Sequence, residues 1–222
     1  MACTVGAAEK SKPRPLPPVT AKAFAAAPAL IGPGDATLGK EKADSERCIE
    51  CHGPQGQGLG HSNGPEGKFP KLAGQNPQYL LKQLDNFRTG ARQNEWMAVM
   101  ATNVADADLR DIAAYFASQP RMQGDGEGGN PAGQALFLQG DASRGIPACA
   151  SCHGEHGQGS SSPGGLQVPM IGGQEWIYLE KQLLGWRSNW RDNSPGGVMH
   201  AVTRALTDAD ITALTSHLAS LR

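Results

Sequence analysis

Two short motifs hold the residues of this chain whose types and spacing suggest chemistry. Residues 48–52 read Cys-Ile-Glu-Cys-His and residues 149–153 read Cys-Ala-Ser-Cys-His, so the pattern C-x-x-C-H occurs twice. Two thiols three positions apart lie on one face of a helical turn, where they can add to the two vinyl groups of a haem, and the adjacent His then lies beneath the iron. The pattern predicts two sites of covalent c-type haem attachment. The predicted attachment residues are Cys48, Cys51, Cys149 and Cys152, and the predicted proximal ligands are His52 and His153.

Other uses of paired thiols fit these motifs less well. A zinc ribbon pairs two C-x-x-C units across about 15 to 20 residues, whereas the length of a whole domain separates Cys51 from Cys149. A thioredoxin-like redox pair is expected in a βαβ context, and the sequence around both motifs is rich in Gly and Pro without strand-like runs. Structural disulfides in an oxidising compartment stay open as an alternative, but they do not explain the His that follows each pair.

Composition restricts the size of the domains and the kinds of partner. A chain of 222 residues has room for two small domains, and 39% apolar residues with only 5% aromatics give thin cores that a buried haem would fill. The formal net charge of -1, with dispersed Lys and Arg, provides no basic surface for nucleic acid. The longest apolar-leaning run, residues 21–31, is broken by Pro28 and is too short for a membrane-spanning helix.

The two halves of the chain repeat each other. Residues 70–75, Pro-Lys-Leu-Ala-Gly-Gln, return as residues 169–174, Pro-Met-Ile-Gly-Gly-Gln. Residues 79–84, Tyr-Leu-Leu-Lys-Gln-Leu, return as residues 178–183, Tyr-Leu-Glu-Lys-Gln-Leu. The downstream residues that correspond are Met97, Asp106 and Asp108 in the first half and Met199, Asp208 and Asp210 in the second. Each half therefore carries a motif, a loop, a helix, a Met and a closing helix in the same order.

Helix signals lie at matching places in the two halves. An Asn-Pro pair marks a helix start at Asn76-Pro77 and again at Asn130-Pro131, and Gly90 offers a stop for the first of these helices. The predicted helix starts are about Thr37, Pro77, and Asp106 or Asp108 in the first half, and about Ala132 and Thr207 or Asp208 in the second. Gly-rich loops are predicted at residues 53–67 and 154–165, and a linker of Gly and acidic residues at 123–130.

The N-terminal region differs in composition from the rest of the chain. Residues 10–34 are dense in Pro, Ala and Lys and are interpreted as a tether. Cys3 is the one thiol outside the two motifs. It is either the lipidated Cys of a lipoprotein, with the tether spacing the domains from a membrane, or an unmodified Cys near a misassigned start.

Taken together, the two C-x-x-C-H motifs, the repeated runs, the downstream Met and the final Asp-x-Asp-Leu/Ile helix resemble the dihaem cytochrome c4 family over residues from about 35 to 222. The resemblance implies an all-α fold of two tandem class I cytochrome c domains related by pseudo-twofold symmetry. The expected division is a tether at 1–34, a first domain at 35–121, a linker at 122–130 and a second domain at 131–222. The family further implies two covalently bound haem c groups, with His52 and Met97 as ligands of the first iron and His153 and Met199 as ligands of the second.

The distal ligand of the first half has an alternative. Met97 and Met100 both lie in the expected region, and Met97 is preferred because seven residues separate it from Val104, just as seven separate Met199 from Leu206. Met100 stays open, since a thioether at either position is a suitable iron ligand.

Other side chains near the second distal position are given structural interpretations. Met170 replaces the family's usual Lys and is expected to pack, and His200, beside Met199, is expected at the surface, although either can compete for iron. No role is assigned to the remaining histidines, which are expected in loops or at the surface: His61, His156 and His217.

The ligand set predicts an electron carrier and not an enzyme. An iron held between His and Met has no open position for substrate, and the neutral thioether raises the reduction potential. The family implies a periplasmic or membrane-attached location in a respiratory chain, with redox proteins as donor and acceptor, among them a terminal oxidase. Two alternatives stay open, a cytochrome subunit of a dehydrogenase complex and a dihaem enzyme with one open iron, the latter suggested only by Met170, Met199 and His200.

Overall fold

The structure is a computed structural model that describes residues 32–58, 69–127, 129–160 and 167–222. The proposed tether with Cys3 lies outside these residues, apart from positions 32–34, as do His61 and part of each Gly-rich loop. Helices form nearly all of the regular structure in the described ranges, where two isolated β-bridges pair Asp141 with Ile146 and Ser160 with Val168. The predicted all-α fold is therefore confirmed.

The described part of each half contains five α-helices in the same order. The first half has α1 (Ala36–Ser45), α2 (Cys48–His52), α3 (Pro77–Arg88), α4 (Glu95–Asn103) and α5 (Asp106–Ser118). The second half has α6 (Pro131–Gln139), α7 (Ala150–His153), α8 (Trp176–Arg187), α9 (Val198–Thr203) and α10 (Asp208–Ser220). In the described ranges, none of these helices is long and apolar enough to cross a membrane.

Local capping explains where several of the predicted helices begin. The side chain of Asn76 accepts a hydrogen bond from the Tyr79 amide at 3.1 Å, and Asn130 accepts one from the Gly133 amide at 3.0 Å. Each bond satisfies an amide that has no partner inside the helix, and Pro at the next position is already constrained to a helical φ. The start of α10 carries a capping box in which Thr207 and Asp210 each bond the backbone of the other.

Two helices carry the candidate distal ligands and were not predicted from the sequence. Helix α4 begins after Asn94, whose side chain accepts from the Met97 amide at 2.9 Å. This Asn is a cap signal that could have revealed the helix. Helix α9 has no side-chain cap and follows Gly197, which has a φ of 69°, so its start had no comparable signal.

Each half has a hydrophobic core of its own. The first core consists of Ala43, Leu80, Leu81, Val104, Leu109, Ile112, Ala113, Tyr115 and Phe116. The second consists of Leu136, Phe137, Ile146, Leu179, Leu206, Ile211, Leu214 and Leu218. Cys48 packs against the first core and Cys149 against the second, so each motif is positioned by the core of its own half.

The first and last helices of each half cross at a glycine. A Cβ atom on Gly39 of α1 would lie 1.9 Å from the carbonyl oxygen of Asp111 on α5. A Cβ on Gly133 of α6 would lie 1.9 Å from the carbonyl oxygen of Ala213 on α10. Glycine lets the two backbones approach this closely, and in the first half α1 leads directly into the motif helix.

The segment that joins the halves is packed against both of them. The Met122 amide donates to the Ala73 carbonyl at 3.1 Å, and the Gly124 amide donates to the Leu221 carbonyl at 2.8 Å. The Met122 side chain is completely buried. These contacts hold the start of the predicted linker in the interface between the halves.

Candidate functional site

Each C-x-x-C-H motif folds as a short helix that ends at its His. Cys48 begins α2, and Cys149 directly precedes α7 in helical backbone conformation. The four motif thiols form no disulfide in this structure. As free thiols, before any attachment, Cys48 and Cys149 have a pKa that burial raises to about 11, so both are protonated at pH 7.

The two motif histidines are buried in matching environments. His52 Nδ1 lies 2.8 Å from the Pro70 carbonyl oxygen, and His153 Nδ1 lies 2.9 Å from the Pro169 carbonyl oxygen. A carbonyl oxygen can only accept, so Nδ1 must carry the proton and Nε2 must carry the lone pair. Burial lowers the pKa of both rings despite these bonds. Each ring is therefore a neutral imidazole whose free nitrogen is suited to bind a metal.

The candidate distal residues occupy corresponding positions near the start of α4 and α9. Met97 and Met199 are both half-buried, as is Met100 one turn further along α4. The residues seven positions beyond the first two, Val104 and Leu206, are each 5% exposed.

An arginine of the preceding long helix fixes the segment after each candidate Met. Arg88 of α3 donates to the Val104 carbonyl and to the Ala101 carbonyl, the latter at 2.6 Å. Arg187 of α8 donates to the Leu206 carbonyl at 2.9 Å. The two Met-bearing segments are therefore held in the same way relative to the long helix of their half.

The structure corrects the interpretation of two other histidines. His217, expected at the surface or in a loop, is 5% exposed on α10, and its ring lies 5.6 Å from that of Phe137. It occupies the place of the buried Tyr115 in the closing helix of the first half, a correspondence that the repeat could have revealed. His200, also expected at the surface, is half-buried with its ring 5.3 Å from that of Trp186. His156 is exposed, as expected.

A polar cluster in the interface between the halves was not found from the sequence. Its members are Tyr79, Gln83 and Arg92 from the first half and Tyr178, Gln182 and Arg191 from the second. Arg92 crosses the interface to donate to Tyr178 Oη at 2.9 Å and to Gln182 Oε1 at 3.0 Å. The internal repeat could have revealed this cluster. Its two Tyr, two Gln and two Arg residues are each separated by the same number of positions as Pro70 and Pro169.

Arg191 makes the corresponding contacts in the opposite direction. It donates to Tyr79 Oη at 3.3 Å and to Gln83 Oε1 at 3.1 Å. Burial lowers the pKa of Arg191, and the nearby positive charge of Arg92 lowers it further. Burial alone would raise the pKa of Tyr178, but the two guanidiniums outweigh it and the net shift is downward. Among the described residues, no carboxylate forms an ion pair with either guanidinium.

These observations fit a haem in each half. The thiols provide the covalent attachment, and the His tautomer leaves Nε2 free for iron. The partners of the Arg92 and Arg191 guanidiniums among the described residues are neutral, which makes the interface suited to an anionic group, and a haem carries two carboxylates.

Comparison with known proteins agrees with this chemistry. The family model for cytochrome c matches residues 36–120 and 131–222. Cytochrome c4 from Pseudomonas aeruginosa is 40% identical over 190 residues, which cover 85% of this chain and 89% of that protein. The thiosulfate dehydrogenase electron acceptor of Stutzerimonas stutzeri is 33% identical over 189 residues, which cover 83% of each protein. The crystal structure of reduced cytochrome c4 from Pseudomonas stutzeri matches with a TM-score of 0.73 and 36% identity, over 85% of this chain and 100% of that one.

Proposed function

Because this chain belongs to the cytochrome c4 branch of the cytochrome c family and is a dihaem electron carrier, we propose that it takes electrons from a periplasmic dehydrogenase and delivers them to a terminal oxidase. The chain carries two covalently bound haem c groups and is not an enzyme. The observation that carries the proposal is the duplicated motif, in which each buried His donates through Nδ1 to a Pro carbonyl.

The proposed roles divide between the two halves. Thioether bonds form at Cys48 and Cys51 in the first domain, residues 35–121, and at Cys149 and Cys152 in the second, residues 131–222. Residues 1–34 serve as a tether and residues 122–130 as a linker. A haem with His and thioether ligands supplies one-electron chemistry at a raised potential. The chain orients each imidazole through a Pro carbonyl and buries it, which limits the access of water.

The axial ligands that we propose are His52 with Met97 and His153 with Met199. Support for Met97 over Met100 comes from the segment that follows it. Val104 and Leu206 are both buried, and both of their carbonyls accept from an arginine of the long helix. Counting back seven residues from these matching anchors leads to Met97 and Met199.

A relative supports the choice of donor. The Stutzerimonas stutzeri protein that is 33% identical to this chain is named as the electron acceptor of a thiosulfate dehydrogenase. We therefore test this class of donor first, by mixing the oxidised protein with thiosulfate and catalytic amounts of a purified thiosulfate dehydrogenase in a stopped-flow spectrometer. Reduction of both haems that requires the enzyme supports the proposal. Failure of the haems to be reduced, when a small-molecule reductant reduces them normally, rejects this donor.

Cytochromes c4 function in the periplasm or attached to the membrane, and we assign this chain the same location. We further propose that Cys3 carries a lipid and that the Pro-rich tether spaces the domains from the membrane. Cys3→Ser expressed with a lipoprotein signal is expected to move the protein from the membrane fraction to the soluble periplasmic fraction. An unchanged distribution would reject the anchor.

A further inference from the structure

Two buried glutamines pair with backbone across the interface between the domains. Gln174 of the second domain accepts from the Lys71 amide at 2.8 Å and donates to the Lys71 carbonyl at 2.9 Å. Its side chain therefore pairs with both backbone groups of one residue, as a neighbouring β-strand would. Gln174 is 4% exposed, so water does not compete for these bonds.

Gln75 makes the same contacts in the opposite direction. It accepts from the Met170 amide and donates to the Met170 carbonyl, both at 2.9 Å. It is also 4% exposed. The four distances agree within 0.1 Å, so the two halves exchange equivalent side chains.

The peptide groups that receive these glutamines are the ones that hold the motif histidines. The Pro70 carbonyl accepts from His52, and the amide of the same peptide group, that of Lys71, donates to Gln174. The peptide of Pro169 and Met170 connects His153 to Gln75 in the same way. A continuous chain of hydrogen bonds thus runs from each motif His to a glutamine of the other domain.

From this geometry we propose that Gln174 and Gln75 are positioning residues that set the strength of the hydrogen bond to the proximal His of the opposite domain, and so the potential of the opposite haem. This inference rests on the proposed proximal roles of His52 and His153.

The direction of the effect follows from hydrogen-bond cooperativity. An amide that donates to a good acceptor makes the carbonyl oxygen of its own peptide a stronger acceptor. A stronger acceptor at Nδ1–H raises the basicity of the imidazole at Nε2 and favours ferric over ferrous iron. Loss of the Gln174 amide is therefore expected to raise the potential of the first haem, and loss of the Gln75 amide that of the second.

The test compares Gln174→Met and Gln75→Met, which keep the side-chain length but remove both polar atoms. The reduced protein is labelled with ¹⁵N-histidine, and the Nδ1–H signals of His52 and His153 are followed by NMR through a redox titration, which assigns each potential to its haem. Gln174→Met is expected to weaken the hydrogen bond of His52. At a fixed applied potential it should raise the ferrous-to-ferric ratio of the first haem by about two- to threefold, because one hydrogen bond changes the strength of its neighbour by about 10–30%. Gln75→Met is expected to act on His153 and the second haem.

Gln167→Ala is the matched control. It removes a bond between the domains, from Asn76 Nδ2 at 2.7 Å, that does not involve either peptide group. It should leave both signals and both potentials unchanged. A shift confined to the haem of the mutated domain, equal shifts at both haems, or no shift in either variant would overturn the proposal.

Two measurements on the unmodified protein complete the test. A scalar coupling across the hydrogen bond between the Lys71 nitrogen and the Gln174 side-chain carbonyl carbon is expected, and its absence would overturn the pairing even if neither variant folds. The signals of His52 and His153 must respond to the oxidation state. If they do not, the proposed proximal ligands are wrong, and that result is distinct from a failure of the glutamine pairing.

Discussion

In each domain, one sulfur ligand decides whether the haem iron only transfers electrons or can also bind small molecules. A thioether ligand closes the sixth position of the iron and raises its potential. In the first domain, Met97 and Met100 are both half-buried on α4, so exposure alone does not distinguish them. What distinguishes Met97 from Met100 is where each lies along the segment that Arg88 holds through its hydrogen bonds.

Met97→Ala is expected to lower the potential of the first haem and to open its iron to carbon monoxide. The physical reason is the loss of a thioether that favours the ferrous state. A difference spectrum of the fully reduced protein with carbon monoxide should show no change in the unmodified protein and a response from one haem in the variant. Met100→Leu is the control and should behave as the unmodified protein. If Met100→Leu opens the iron instead, Met100 is the ligand.

His217→Tyr is expected to stabilise the second domain, most strongly in acid. Burial lowers the pKa of His217, so the folded protein binds a proton less readily than the unfolded chain. Its contribution to stability is fully present above the unfolded pKa of about 6.5 and is lost as the pH falls through the lower folded pKa. In the first half Tyr115 Oη donates to the Pro54 carbonyl at 2.5 Å. Glu155 corresponds to Pro54 in the repeat, so we expect the new hydroxyl to donate to the Glu155 carbonyl.

Thermal unfolding at pH 5 and pH 8 measures this effect. The midpoint of His217→Tyr should exceed that of the unmodified protein at both pH values, by a larger margin at pH 5, and the added hydrogen bond alone contributes about 1 kcal/mol. The matched control is the exposed His156, changed to Gln. Equal margins at the two pH values would show that protonation of His217 does not oppose folding.

At the scale of single residues, the sequence was sufficient to identify those that act together with close neighbours along the chain. Cys48, Cys51 and His52 act within one helical turn, so their spacing alone indicates a haem. Gln174 and Arg191 depend on partners about a hundred residues away, and only the folded interface brings those partners together. Both lie in repeated segments, but repetition indicates duplication without showing that the copies touch.

Among the contacts between helices, those between the first and last helix of each half leave the least room for an added side chain. Gly39→Ala and Gly133→Ala would each place a Cβ 1.9 Å from a backbone oxygen of the partner helix. The helices must separate, which is expected to lower the free energy of unfolding by about 1–3 kcal/mol or more. Urea denaturation followed by circular dichroism measures this loss.

Gly129→Ala serves as the control for this pair of changes. Its Cβ would meet only the Ser220 hydroxyl, at 3.3 Å, so stability should change by less than about 1 kcal/mol. If Gly39→Ala is equally mild, the close approach of α1 and α5 does not determine the packing of the first domain.

The helices that could be predicted are those with strong start signals. Helix α3 begins at the predicted Pro77 because an Asn cap and a Pro at the first position agree. Helix α9 could not be predicted, since it follows a Gly-Gly pair and has only six residues. The segment that follows it is held by Arg187 of α8, which donates to the Leu206 carbonyl, and no local sequence pattern records such a contact.

Across the whole molecule, the pseudo-twofold arrangement brings two equivalent arginines into one interface. Arg92 and Arg191 each contact the Tyr and Gln of the opposite domain, so we expect their positive charge to act on both haems. The glutamine contacts differ in kind, because each ends at a single motif His. Replacing an arginine is therefore expected to change the potentials of both haems, whereas replacing a glutamine is expected to change only the potential of the opposite haem.

Arg191→Gln is expected to lower the potentials of both haems. Removal of a buried positive charge favours the ferric state, which carries one more positive charge than the ferrous state, and burial reduces the screening of that effect by water. A spectroscopic redox titration of both haems measures it, with the exposed Lys40→Gln as a control for the loss of a charge far from the interface. A fall at only one haem would mean that the arginines serve the domains separately. A rise at either haem would contradict an electrostatic role for the cluster.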